Sequence, residues 1–230
     1  MIKSIRSIFG YSAALVVIFL HPAGCGAQSQ ASPRSLPNVT VEKIAMMPFL
    51  MGQLESPNAP IEKPLSKPLT QLMIDDPRLP VGADRMMNRF TNEMLKQRFQ
   101  DRLVPSDHVA DAYQSLVTDQ TLDTPRKRAV RLGETLEAGH VMVGTLWRYR
   151  EKGALADVPD SPASVGFALY LVDVNTGVRL WHGSFDGTQK ALTEDVLGSL
   201  KQLNMGLSWL SADELARYGV KSVLQKLPLR

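Results

Sequence analysis

Cysteine is nearly absent from this chain: Cys25 is the only one in 230 residues. No internal disulfide can therefore brace the fold, even in an oxidising compartment. Net charge is scarce too. The formal charge is +3, and Lys3 and Arg6 sit in an acid-free N-terminal segment that is expected to be removed. Their loss leaves 24 basic against 23 acidic side chains. That is too weak a positive field to gather phosphates, so no nucleic-acid partner is expected. The one basic cluster, Arg126, Lys127, Arg128 and Arg131, is diluted by Glu134 and Glu137 and reads as a solvated helix face. No apolar run reaches the roughly 20 residues of a membrane-spanning helix. No internal repeat is visible.

The residue types of chemistry are equally sparse. Besides His21, histidines occur only at His108, His140 and His182. Asp107, His108 and Asp111 could place a histidine and a carboxylate on adjacent helical turns, but two ligands do not close a metal site. An acid-rich helix N-terminus explains them as well. His182, Ser184 and Asp186 assemble the residue types of a hydrolase triad on one face of a strand. Alternate strand residues stand nearly 7 Å apart, too far for a nucleophile-to-base hydrogen bond. Gly144, Gly153, Gly166 and Gly183 do not form the Gly-rich strand-to-helix turn that cradles phosphate. No catalytic residue, cofactor site or metal site is therefore assigned, and the chain is not expected to be an enzyme.

What is present describes location and fold. A hydrophobic fraction of 44% with 21% charged residues is enough to bury one generous core. Lys3 and Arg6 precede an apolar run from Ile8 to Leu20, followed by His21-Pro22-Ala23-Gly24-Cys25. A short positive region, a brief apolar core and small residues form a secretory signal. With the lone cysteine directly after Ala23-Gly24, this boundary resembles the lipobox of bacterial lipoproteins, with Pro22 where leucine is usual. The resemblance implies cleavage before Cys25 and acylation of its sulfur and new amino group; several acyl chains anchor stably where one is marginal. Gly26 replaces the aspartate that retains such proteins at the inner membrane, which points to the periplasmic side of the outer membrane. Residues 1–24 are thus read as signal peptide, and residues 25–38 as lipidated cysteine and flexible tether. Residues 39–230 are read as one α/β domain.

The stretch Val165 to Phe185 organises that domain. Phe167, Leu169 and Leu171 point to one face and Ala168, Tyr170 and Val172 to the other, which places this strand inside a covered sheet. Asp173, Asn175, Thr176 and Gly177 reverse the chain, with Gly177 supplying a positive φ. Val178, Leu180 and Trp181 start the return strand. A first strand lies within Val39 to Phe49, stopped by Pro48. Leu50 to Gly82 follows as a Pro-rich insertion with a short helical turn near Leu69 to Ile74.

Helical periodicity marks Ala83 to Phe99, with Met87, Phe90, Met94 and Leu95 inward. A second helix is capped by Ser106 and runs to Val117; a third starts at Thr124-Pro125 and is stopped by Gly139. Val141 to Tyr149 alternates as a strand. Thr193 caps a helix bearing Val196, Leu197, Leu200 and Leu203, and Ser211 and Glu214 make a capping box for the last helix.

Three pieces, Ile44-Ala45-Met46-Met47-Pro48-Phe49, Ala138-Gly139-His140-Val141-Met142-Val143-Gly144 and Leu171-Val172-Asp173-Val174-Asn175-Thr176-Gly177 with Leu180-Trp181, carry a joint likeness. In that order they resemble the domain shared by the curli-secretion lipoprotein, the lipoprotein activator of penicillin-binding proteins and the N-terminal domain of the Tol-system β-propeller protein. The resemblance implies a mixed sheet with helices on its faces, and a non-enzymatic role in envelope assembly or regulation through a periplasmic partner. The alternatives are a self-associating subunit of an export apparatus and a small-ligand-binding protein. The curli relative inserts β-hairpins into the membrane, and a spanning strand needs about 9 to 11 alternating residues. No spare pair exists outside the central hairpin, so pore formation is not expected. Gln53 to Pro80 is the expected partner-binding element, the alternative being a surface flap that only covers one sheet edge, and Val39–Phe49 and Val178–Phe185 are candidate sheet edges.

Overall fold

The computed structural model describes residues 41–54, 64–72, 79–155, 161–188 and 210–229. Cys25, the tether and the helix expected from Thr193 to Leu203 lie outside them. Five strands form one mixed, open sheet: β1 (Ile44–Met46), β2 (Leu50–Met51), β3 (His140–Arg150), β4 (Ser164–Asp173) and β5 (Arg179–Thr188). β1 and β2 both run parallel to β3 on its outer side, while β3–β4 and β4–β5 are antiparallel. Among the described residues four α-helices cover the sheet: α1 (Ala83–Phe99), α2 (Ser106–Val117), α3 (Pro125–Leu136) and α4 (Ala212–Gln225).

The central strand sorts its side chains as its sequence requires. Phe167, Leu169 and Leu171 enter a core with Met87, Phe90, Leu95, Leu215 and Val220 of α1 and α4. Ala168, Tyr170 and Val172 enter a second core with Val109, Leu116, Ala129 and Leu132 of α2 and α3. The result is three layers with the sheet in the middle. β3 keeps strict alternation to Leu146, and its pairing then slips between Leu146 and Arg148. Trp147 is the extra residue of this bulge, so Tyr149 moves to the α1–α4 face while Trp147 stays on the other.

Pro48 interrupts the first strand without ending it. The Met47 amide still donates to the Met142 carbonyl at 2.9 Å, whereas the Phe49 amide turns aside to Asn88 Oδ1 at 3.1 Å. Pairing resumes at Leu50 and Met51, and the Gly52 amide closes on the Leu146 carbonyl at 2.7 Å. A proline with no N–H to give is accommodated because only one rung of the ladder is skipped. Phe49 lies flat on Gly144, where a Cβ would come within 2.6 Å of its ring. The start of the Pro-rich insertion therefore belongs to the sheet.

Leucines from the rest of that insertion also reach the core. Leu54 is 0% and Leu65 3% exposed, both within the α2–α3 core, and Leu69 and Leu72 pack against it. Two 3-10 turns, Pro64–Ser66 and Leu69–Gln71, carry Leu65 and Leu69, and the Leu69 amide donates to the Asp123 carbonyl at 2.7 Å.

Two helix ends differ from expectation. The position before α2 is Pro105, and Ser106 is already helical and makes no side-chain cap bond. Proline fixes an extended entry to the helix, so the serine is shifted one place inside. α3 stops at Glu137, which takes the left-handed conformation at φ 52°, two residues before Gly139. The Ala138 amide returns to the Gly133 carbonyl at 2.9 Å, so the turn is closed without the glycine. The other caps follow the sequence: Thr124 accepts from the Lys127 amide at 3.3 Å, and Ser211 and Glu214 form the reciprocal box of α4. At its other end α4 is held by Arg98, which donates to the carbonyls of Leu224 (2.7 Å) and Leu227 (2.6 Å) and also to that of Leu229.

The hairpin turn draws on glycine's conformational freedom. Gly177 has φ +63°, its amide donates to the Asp173 carbonyl at 2.8 Å, and Asp173 Oδ1 accepts from the Thr176 amide at 2.7 Å. Gly177→Val is expected to cost about 1 to 3 kcal/mol, because a β-branched residue resists that backbone region. A thermal melt should show a midpoint several degrees lower, with no shift for Lys67→Ala at an exposed site. Equal midpoints would contradict the strain.

Candidate functional site

Beside the bulge in β3 lies an open, shallow cleft. Beyond Trp147 the strand presents Tyr149 and Glu151 toward the start of α4, and the start of α1 faces them. The cleft is about 370 Å³ and is lined by Pro80, Val81, Gly82, Ala83, Arg85, Met86, Tyr149, Glu151 and Asp213. Gly82, with φ +90°, turns the chain into α1 and brings Pro80 and Val81 alongside. Val81 is 98% exposed, so the cleft has an apolar lip in open water.

Its polar groups are tied to one another. The Tyr149 hydroxyl donates to Asp213 Oδ1, and Glu151 Oε2 accepts from the Ala212 amide at 3.0 Å. Glu151 thus satisfies a free amide of the first turn of α4, beside the Ser211–Glu214 box. Burial first, and then the carboxylates of Asp213 and Glu151, push the Tyr149 hydroxyl well above the usual tyrosine range. It therefore stays a proton donor across the physiological range. A tyrosine held this way gives a hydrogen bond and orients a carboxylate; it is not primed as a base or nucleophile.

The residues singled out from the sequence fall elsewhere. His182, Ser184 and Asp186 alternate along β5, as predicted, without forming a triad. His182 stacks on Tyr170 with ring centroids 4.8 Å apart, while Asp186 pairs with Arg148 from two strands away. Asp107, His108 and Asp111 are exposed on α2, and among the described residues no group of three ligating side chains could hold a metal ion. His140 is buried at 7% exposure, and both its ring nitrogens lack a hydrogen-bond partner among the described residues. Burial lowers its pKa, partly offset by Asp173 across the ladder.

The basic cluster is consumed by structure. Lys127 pairs with Asp123 at 2.8 Å and Arg131 with Glu134 at 3.2 Å. Arg126 donates to the Thr176 carbonyl at 3.3 Å, and Arg128 to the Leu122 carbonyl at 3.0 Å. The glycines on the strands serve aromatic rings: Cβ atoms at Gly144, Gly166 and Gly183 would strike Phe49, Trp147 and Trp181.

Sequence reading missed the cleft. Its parts come from three distant stretches, and Tyr149 faces it only because of the bulge. The capping box was the available signal, since it fixes where α4 begins and hence which carboxylates meet there.

No family model and no curated protein matches the chain. Among solved structures, the chain is similar to a PelC dodecamer from Paraburkholderia phytofirmans, at 15% identity over 88% of this chain and 99% of that one, with a TM-score of 0.48. It is similar to the LpoB C-terminal domain from Salmonella enterica at 16% identity, covering 66% and 86% of the two chains, with a TM-score of 0.38. For lipoprotein GNA1162 from Neisseria meningitidis the identity is 16%, the shares are 73% and 99%, and the TM-score is 0.41. Likeness at this level concerns the arrangement of the chain and carries no function over to it.

His182 gives the domain a measurable pH dependence. Burial first, and then the nearby Arg179, push its pKa down from 6.5 to about 4. The folded protein thus keeps it neutral while the unfolded chain takes up a proton below about 6.5. Stability is full above that value and falls as the pH drops toward 4, by on the order of 3 kcal/mol if this histidine acts alone. His182→Gln should flatten the decline in urea midpoint between pH 6.5 and 4. An unchanged slope would show that the imidazole is protonated in the folded state.

Proposed function

We propose that this is a lipid-anchored, non-enzymatic protein of the cell envelope that holds a periplasmic partner. The observation that carries the reading is the position of Cys25: the chain's only cysteine stands directly after an apolar run and Ala23-Gly24. In this reading residues 1–24 are removed, Cys25 is acylated, and residues 26–38 tether a domain starting near residue 39 on the periplasmic face of the outer membrane. The tied polar groups of the cleft support binding in preference to chemistry. Among the described residues no helix is long and apolar enough to cross a membrane.

The test is metabolic labelling with palmitate and fractionation of envelopes. Wild-type protein should carry label and sediment with outer membrane, and Cys25→Ser should do neither. Label persisting in Cys25→Ser would refute the anchor.

One observation favours a second reading, self-association. Among the described residues β5 pairs only with β4, so its far edge offers a ten-residue template for strand addition. Light scattering of the detergent-solubilised protein separates the two, since only the second requires a mass above that of one chain.

A further inference from the structure

The cleft combines two features that select a particular occupant. One wall is apolar: Pro80, Val81 and Met86, with Val81 fully in solvent. The opposite side holds the carboxylates of Glu151 and Asp213. Each has one oxygen engaged, by the Ala212 amide and the Tyr149 hydroxyl respectively, and no further hydrogen-bond or ion-pair partner among the described residues. Two carboxylates with spare acceptor capacity, beside an aliphatic wall, complement a long side chain that is apolar along its stem and cationic at its tip. A volume of about 370 Å³ exceeds one side chain and takes a short stretch of peptide. Arg217, one turn beyond Asp213 on α4, also acts on Tyr149 but is paired with Glu93 at 2.6 Å, and Arg85 lines the cleft itself. Its guanidinium lies back over Gly82, 3.1 Å from where a Cβ would sit, and it has no acidic partner among the described residues. It weakens the attraction for a second cation without cancelling two carboxylates.

We propose that this cleft is a socket for a lysine or arginine side chain presented on an otherwise apolar segment of the partner protein. The proposal rests on the partner-binding reading and replaces Gln53 to Pro80 as the contact element, keeping only its end at Pro80. Asp213 and Glu151 supply the charge, Tyr149 fixes the orientation of Asp213, and the Val81 lip covers the stem.

The test uses the purified protein in detergent, as extracted from envelopes and whether or not Cys25 is acylated, with labelled methionine methyl groups. Met86 lines the cleft and reports occupancy, whereas Met142, fully buried, serves as the silent reference. The probe is the acetylated, amidated tripeptide Leu-Lys-Leu, with norleucine or glutamate at the centre as controls. The lysine peptide should shift Met86 saturably and bind at least about tenfold more tightly than the norleucine peptide, the factor expected of one good charge-assisted bond. Glu151→Gln with Asp213→Asn keeps an acceptor oxygen for each structural bond while removing both charges, and should erase that preference. Arg85→Ala should strengthen lysine binding severalfold.

Raising salt on the wild-type protein should weaken the lysine peptide and leave the norleucine peptide unchanged, a readout that needs no variant to fold. Equal binding of the lysine, norleucine and glutamate peptides, or no shift at Met86, would overturn the proposal. Because the titration is made on purified protein, it is independent of the envelope fractionation that tests the anchor.

Discussion

Replacing residues 53–80 by a short Gly/Ser linker is expected to abolish stable folding. Leu54 and Leu65 lie within that segment at 0% and 3% exposure, packed with Leu132, Val141 and Trp147 in the α2–α3 core. Removing a buried leucine side chain typically costs about 2 to 5 kcal/mol, the transfer term plus the cavity. Two such losses approach the whole of an ordinary domain stability of about 5 to 15 kcal/mol. Leu54→Ala and Leu65→Ala should each lower the thermal midpoint by roughly 4 to 20 °C on the same reasoning. The linker variant should lack a cooperative circular-dichroism transition altogether. A linker variant that melts with the wild type would show that the segment only drapes over the sheet. That outcome was the premise for treating Gln53 to Pro80 as the binding element, and the burial of these two leucines removes it.

The reason this was illegible in the sequence is physical. Proline-studded chain carries no period, so apolar residues within it give no face to read. Leu54, Leu65, Leu69 and Leu72 reach the core through a strand end and isolated 3-10 turns, each set by tertiary contact. The hairpin was legible for the opposite reason. Strict alternation from Phe167 to Val172 fixes both faces of β4, and a turn with aspartate, threonine and glycine in order fixes its register. The helices were legible in extent but not at every end. Thr124 and Ser211 cap where they were expected, whereas Pro105 and Glu137 took roles assigned to Ser106 and Gly139. A cap depends on one or two torsions, and neighbouring residues can supply them. The cleft was hidden because the bulge at Trp147 reverses which face Tyr149 occupies. Periodicity alone puts Tyr149 with Trp147, and only the slipped pairing sends it to α4.

Gly219→Val is expected to unseat α4 from the sheet. Gly219 lies inside α4, where glycine is ordinarily worse than alanine by about 1 kcal/mol. Here the preference is reversed by contact. A Cβ at Gly219 would sit 2.7 Å from Phe185 and 2.9 Å from Phe167, two rings of the sheet whose centroids are 5.7 Å apart. A Cβ at Gly183 on β5 would likewise meet Val223 of α4 at 2.7 Å. The helix therefore rests on the sheet along a notch cut by two glycines, and neither ring can retreat without disturbing the core it fills. Overpacking a well-filled core costs about 1 to 3 kcal/mol, occasionally more, and three added carbons on a stiff, branched side chain place valine at the upper end. Urea unfolding should show a midpoint reduced in proportion. An unchanged slope would confirm that the native state has lost stability and not compactness. Gly139→Ala is the matched control: a Cβ there meets nothing within 4 Å, so its midpoint should move by no more than about 0.5 kcal/mol in equivalent stability. If Gly219→Val proved as stable as the control, α4 could not be seated on Phe167 and Phe185. The carboxylate of Asp213 at its first turn would then lose the support that aims it at Tyr149.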